Sequence, residues 1–217
     1  MGYKCNTSIE AVRLRIALLN SGGVPVVGAS SMVVTDALIK LDYKFLINAG
    51  TKIDQDNGSG ATCLTFQGDD TIDGVQVDID LCTLDDDLIC LATGCTPVTI
   101  AGTVRGFTLP AVGVPLTRRV SVEAWSLAWA TDAQALNGST PLYHHWVWPS
   151  VGFRLADSGI ANAAFRQPIT GKGRSNPAIG DGPANDLPAG IFTTAMGRYV
   201  DSNALPAASC GLLAVAS

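Results

Sequence analysis

Charge is scarce in this chain. Its 217 residues include 14 Lys+Arg and 19 Asp+Glu, 15% of the total, where a soluble domain usually carries about 25%. Mean hydropathy is +0.27. A free monomer needs charge on its surface to stay dissolved and unassociated, so much of this surface is expected to be covered, and copies of the chain itself are one such cover. Long apolar runs are missing as well. No stretch reaches the roughly 18 residues of a membrane helix, and Arg13, Arg15, Lys40, Asp42 and Lys44 break the best candidates, so no membrane partner is expected. Residues 1–10 lack the basic start, apolar middle and small-residue cleavage site of a secretory signal, which leads to the expectation of a protein made and kept in a cytoplasm.

Chemistry-bearing patterns are equally sparse. The six cysteines include no Cys-x-x-Cys pair, and the chain is far longer than the small domains that depend on disulfides, so buried, reduced thiols are expected. His144 and His145 are the two histidines. On a strand, neighbours point to opposite faces and cannot share a metal ion. Residues 69–80 faintly match a calcium loop, but a hairpin turn at Asp73-Gly74 accounts for them better. The Gly171-Lys172-Gly173-Arg174-Ser175 run lacks P-loop spacing, no GxSxG elbow occurs, and Asp69-Asp70 and Asp85–Asp87 are sequence neighbours rather than carboxylates facing each other across a cleft. No enzyme activity and no cofactor are expected. The net charge of −5 and pI near 4.8 exclude a protein that grips nucleic acid through a basic surface. The Asn-x-Ser/Thr triplets at Asn6, Asn57 and Asn137 are at chance level.

What is present is strand periodicity. Val12, Leu14, Ile16 and Leu18 alternate with Arg13, Arg15 and Ala17, giving one dry and one wet face. Residues 24–34 form a less regular strand. In residues 39–45, Ile39, Leu41, Tyr43 and Phe45 alternate with Lys40, Asp42 and Lys44; in residues 75–81, Val75, Val77, Ile79 and Leu81 alternate with Gln76, Asp78 and Asp80. Residues 62–66, 98–107, 119–129, 143–153 and 191–200 also read as strands, with Asn137-Gly138 in a turn. Residues 48–61 read as a long exposed loop. One helix is expected, capped by Thr83, with Asp85, Asp86 and Asp87 in its first turn and Gly94 at its end. Residues 167–190, rich in glycine and proline, forbid a regular helix or central strand and read as a partner-ordered loop. The tail, residues 201–217, is apolar enough to need a partner too. The fold class is therefore mainly β, an antiparallel β-sandwich or partly closed β-barrel with one flanking α-helix and long loops, in one domain over 1–217. Trp125 and Trp129 share one face and Trp146 and Trp148 another, which suits core or interface packing and, less well, a sugar platform.

In this order, from the strand at 39–45 through the polar stretch 48–61, the strand at 75–81 and helix 85–93 to VSVEAWSLAW, YHHWVWPSVGFR and the Gly/Asn/Pro stretch, nearly the whole chain resembles the major tail tube proteins of long-tailed, non-contractile bacteriophages that infect actinobacteria. The resemblance implies a structural virion protein, assembled in the host cytoplasm as six-fold rings that stack into a tube. Its partners would be further copies, other tail proteins such as the tape measure and tail terminator, and phage DNA that passes through without specific binding. It implies a ring-stacking loop with Lys52, Asp54, Gln55, Asp56 and Asn57, an inter-subunit loop with Lys172, Arg174, Asn176 and Asp181, and a lumen wall drawn from Lys40, Asp42, Lys44, Gln76, Asp78 and Asp80. An acidic or mixed wall lets DNA slide, where a basic one would hold it. A capsid-decorating or head-tail connector protein shares the charge deficit and β content, and a carbohydrate-binding module would be a monomer with exposed tryptophans.

Overall fold

A computed structural model describes residues 6–26, 28, 30–83, 85–111, 113–130, 143–157, 168–187, 192, 194–202 and 205–207. Among these the strands run β1 (Asn6–Leu18), β2 (Met32–Thr35), β3 (Leu38–Asn48), β4 (Lys52–Asp56), β5 (Thr62–Gln67) and β6 (Thr71–Leu81). Helix α1 (Asp86–Thr93) follows, then β7 (Thr96–Ile100), β8 (Thr103–Thr108), β9 (Val120–Ala130), β10 (Tyr143–Leu155), β11 (Ile169–Arg174), a 3-10 turn (Pro177–Ile179) and β12 (Arg198–Ser202). The fold is mainly β with antiparallel pairing and one α-helix, as the alternation predicts.

The main sheet has the order β2-β1-β9-β10-β11-β6-β3, with β12 paired to β10 as well. β12 takes the first part of β10, Tyr143 to Val147, and β11 takes the last part, Ser150 to Leu155. Alternation along β1, β6, β9 and β10 gives each of these strands one largely apolar face. The sheet curls around these faces. Leu14, Ile16, Val75, Val77, Ile79, Val120, Val122, Trp148, Phe153 and Ile169 meet Leu88, Leu91 and Ala92 of α1 in one core, each fully buried side chain of this size contributing about 1.5–3 kcal/mol. Curling also brings Tyr43, on edge strand β3, within 5.9 Å of the Trp146 ring and 5.8 Å of Trp148. No pairing joins β3 to β2, so the described strands do not close a barrel.

Several local expectations are corrected. The helix cap is Asp85 rather than Thr83, its carboxylate accepting from the Leu88 N–H at 2.9 Å, because the acceptor must stand three residues before that donor. Asp73-Gly74 is no turn. It lies within β6, where the pairing with β3 slips between Leu46–Gly74 and Ile47–Ile72 and leaves Asp73 as the bulged residue, which an Asp-Gly step also suits. Residues 98–107 are not one strand: β7 and β8 form a hairpin that turns at Ala101 and Gly102, with φ of 50° and 78°, the left-handed pair a two-residue hairpin requires. The expected loop at 48–61 contains β4, which pairs with β5 in a second hairpin.

The largest correction concerns residues 167–190. Their first part is β11, a central strand between β10 and β6. Gly171 and Gly173 are buried there, and a Cβ on Gly171 would stand 2.6 Å from Val151 and 2.7 Å from Phe153, while one on Gly173 would stand 2.6 Å from Val75. The glycines leave room for large neighbours. Their role is space, not backbone conformation, so the usual rule against glycine in central strands does not apply. The last strand is confined to β12 rather than running over 191–200. Asn137-Gly138 and most of the tail lie outside the described residues.

Candidate functional site

The polar residues expected to line a lumen form one surface. Lys40 is the register partner of Asp80, Asp42 of Asp78 and Lys44 of Gln76, so the two wet faces read separately from the sequence are a single face of the β3–β6 ribbon, opposite the core. It continues onto β11 and β10, where Thr170 pairs with Asp78, Lys172 with Gln76, and Arg154 with Thr170. Lys40 and Asp42 form an ion pair. Asp78 accepts hydrogen bonds from the Gln76 amide, at 3.1 and 2.9 Å, and from the Thr170 hydroxyl. The face is mixed in sign rather than acidic.

Lys172 and Arg174, expected on an inter-subunit loop, therefore sit in β11, and Lys172 bonds Asp73 across the sheet. Asn176 is buried and structural. Its amide donates to the Gly23 carbonyl at 2.8 Å and the Pro149 carbonyl at 3.3 Å, and its oxygen accepts from the Ala178 N–H at 3.1 Å. Of that set only Asp181 stands on an exposed turn.

The residues expected to stack rings lie on a projecting arm. At its base a Cβ on Gly50 would fall 1.8 Å from the Gly68 carbonyl oxygen, so the two chains cross there closer than any other residue permits. Beyond the crossing, Lys52 and Asp54 share one side of the β4–β5 hairpin, their charges 2.8 Å apart, and Ile53, Gln55, Leu64 and Phe66 share the other, Ile53 facing Phe66 and Gln55 facing Leu64. Asn57 makes the tip: its side-chain oxygen accepts from the N–H groups of Ser59 and Ala61, both at 3.0 Å. Stretches 48–61 and 62–66 hide this apolar face from a one-strand reading, because half of it belongs to each.

The arm and the strand edge beside it expose apolar side chains in quantity. Tyr43 is 46% exposed, Phe45 51%, Ile47 61%, Leu64 51% and Phe66 54%. The β7–β8 hairpin adds Val98, Ile100 and Val104, and the segment after it adds Leu109, Val114 and Leu116. Next to Tyr43 and Phe45 an apolar cleft of about 240 Å³ opens over Trp146, Trp148 and Met196. Trp129 lies in β9, but its side chain is outside the described residues.

On the far side of β1, β9 and β10, residues 176–187 and Phe192 cover the sheet. Ile179, Leu187 and Phe192 pack on Val147. Beside them is a buried ion cluster that the sequence reading misses. Arg15 donates to both oxygens of Glu123, at 2.8 and 2.5 Å, and to Asp186 at 2.9 Å. The His145 Nε2 lies 2.9 Å from Glu123, and its ring stacks 4.3 Å from Trp125, with Arg15 over the same indole at 5.1 Å. Burial disfavours ionising Glu123, but the His145 bond and the Arg15 charge outweigh it and hold the carboxyl below its usual range. Arg15, read as part of a wet face, is buried. The available signal was Glu123, the lone acid in an apolar strand.

Cys90 and Cys95 are buried thiols, whereas Cys63 and Cys82 are exposed, so burial holds for only part of the cysteine set; Cys5 and Cys210 lie outside the described residues. Burial pushes the Cys90 thiol up to about 11. Among the described residues no group of three or more His, Cys, Asp or Glu is placed to hold a metal ion, and no helix is long and apolar enough to cross a membrane. No protein-family model matches the chain, and no curated protein matches it either.

Proposed function

We propose that this chain is a self-assembling subunit of a bacteriophage tail tube, forming six-fold rings that stack into a conduit for DNA. The observation that carries the reading is the projecting β4–β5 arm, with an apolar face of Ile53, Leu64 and Phe66 that stays about half exposed among the described residues. Isolated two-stranded hairpins are marginal in water, and an exposed one with an apolar side gains from a neighbour that buries it. Edge strand β3 gives a second reason, since an edge eleven residues long that no other described strand pairs is a template for another chain unless assembly satisfies it. Other tail proteins, including the tape measure and the tail terminator, would meet the tube at its ends and inside it, and the virion tail would be its location. The mixed polar face over β3, β6 and β11 is the candidate lumen wall.

Sedimentation and electron microscopy of the purified chain test this. Rings or tubes are expected; a stable monomer at high concentration in physiological buffer refutes the reading. The cleft over Trp146 and Trp148 favours one other class, a carbohydrate-binding module, and quenching of tryptophan fluorescence by sugar in a monomeric protein would select it.

A further inference from the structure

The β4–β5 arm has a counterpart toward the other end of the sheet. The arm leaves the β3–β6 ladder between Asn48 and Thr71. The β7–β8 hairpin is rooted elsewhere: Cys95 and Phe107, at its base, belong to a cluster with Ile89, Cys90 and Leu155. Leu155 leads through the register partners Ile169 and Ile79 to Leu41 on β3, seven positions before Asn48. At about 3.3 Å a residue, the two roots stand roughly 20 Å apart along the strands. Both ribbons carry an exposed apolar side. On the hairpin Val98 and Ile100 share one side with their register partners Gly106 and Thr103, and among the described residues they are 36% and 61% exposed. The charges differ in sign. Lys52 and Asp54 pair with each other, which leaves Asp56 as the exposed charge of the arm without an ion pair among the described residues, while Arg105, exposed and equally unpaired, is the single charge of the hairpin. Each sits where the register of its own ribbon slips.

We propose that the apolar side of the arm docks on the Val98–Ile100 side of the β7–β8 hairpin of a second copy, with Asp56 set against Arg105 at the rim. Two arms brought together would put two Asp56 carboxylates into one interface, and two hairpins would do the same with Arg105. Like charge therefore disfavours both symmetric pairings, and opposite charge favours the crossed one. The crossed contact is heterologous. Because arm and hairpin are rooted apart on the same sheet, each docked pair still offers one free arm and one free hairpin, so the contact repeats as an open series of copies. That this series is the axial stacking of rings rests on the tube reading; the pairing of arm with hairpin does not.

The test uses two full-length preparations in a Cys63→Ser background, one carrying Gln55→Cys and the other Thr103→Cys, each a polar position on the apolar side of its ribbon. They are mixed before assembly and treated with a mild thiol oxidant, and the links are mapped by peptide mass. A disulfide joining position 55 of one copy to position 103 of another is expected in the mixture. A 55-to-55 link in the Gln55→Cys preparation alone would mean that arms meet arms, which overturns the docking. Two further variants read its strength. Ile100→Ser should raise the protein concentration needed for assembly by about fivefold or more, and Asp56→Arg by about threefold, with Arg105→Asp in the same chain restoring the parent value. Indifference to Ile100→Ser, or no rescue by the double reversal, overturns the pairing. Tubes that form without the 55-to-103 link reject the docking and leave the tube reading standing. Linked open chains that contain no six-fold ring do the reverse, and a stable monomer sinks both.

Discussion

A glutamate without solvent contact ionises only when a cation and hydrogen-bond partners are held against it, and Glu123 has the Arg15 guanidinium at 2.8 and 2.5 Å and the His145 ring nitrogen at 2.9 Å. Removing Arg15 strands that charge. Arg15→Met should cost about 3–5 kcal/mol in denaturant unfolding, whereas the double variant Arg15→Met/Glu123→Leu should recover most of the loss, because a well-packed apolar pair avoids the desolvation penalty. The folded-state carboxyl lies below its ordinary value, so its contribution is complete above the unfolded-state value near pH 4.3 and fades as pH falls through the folded one. The wild-type chain should therefore lose stability below about pH 4 more steeply than the double variant. Equal acid profiles would remove Glu123 from the account. Gly171 offers a second residue-scale test: an alanine there meets Val151 and Phe153 at 2.6 and 2.7 Å, and overpacking of this kind costs about 1–3 kcal/mol. An unchanged melting temperature would mean that the sheet yields at no cost. Neither site is legible by periodicity alone, since alternation assigns faces but says nothing of which wet face a later segment covers.

Elements with regular alternation were legible, and the reason is visible in β6: Val75, Val77, Ile79 and Leu81 are all buried, so one face had to read apolar. The same logic failed where strands are polar on both sides or stand away from the core. All five residues of β4 are exposed, and no burial pattern was imprinted on them. β11 failed differently, because its core face is one isoleucine and two glycines and its outer face is threonine, lysine and arginine, a text that resembles a loop. The β4–β5 arm forms a sheet of its own, so replacing residues 51–68 by a short turn should leave the core stable, with a melting temperature close to that of the parent. In the proposed reading this variant should still make lateral contacts but no stacked tubes under the electron microscope. Tubes of normal length from the shortened chain would show that the arm plays no part in stacking.

For the whole molecule, the charge deficit and the exposed apolar side chains describe the same surface from two sides. The deficit was legible by counting. Its location was not, because Tyr43, Phe45, Ile47, Leu64 and Phe66 belong to strands whose apolar faces look destined for a core; β3 lies at the sheet edge and the arm beyond it, and among the described residues these side chains stay about half exposed. In the proposed reading, copies that cover such faces would associate through apolar burial rather than ion pairs, and that origin would fix how assembly responds to conditions. Apolar burial weakens on cooling and strengthens in sulfate, while contacts between charges weaken as salt rises. Light scattering of the purified chain should therefore show assembly that survives molar sodium chloride, grows with ammonium sulfate and declines toward the freezing point. Phe66→Ser, which removes one of the largest exposed groups on the arm, should raise the protein concentration needed for assembly by about tenfold or more, the equivalent of burying a single aromatic ring. Assembly that dissolves in moderate sodium chloride and ignores Phe66→Ser would assign cohesion to the charged faces, and the apolar arm would lose its place in the mechanism.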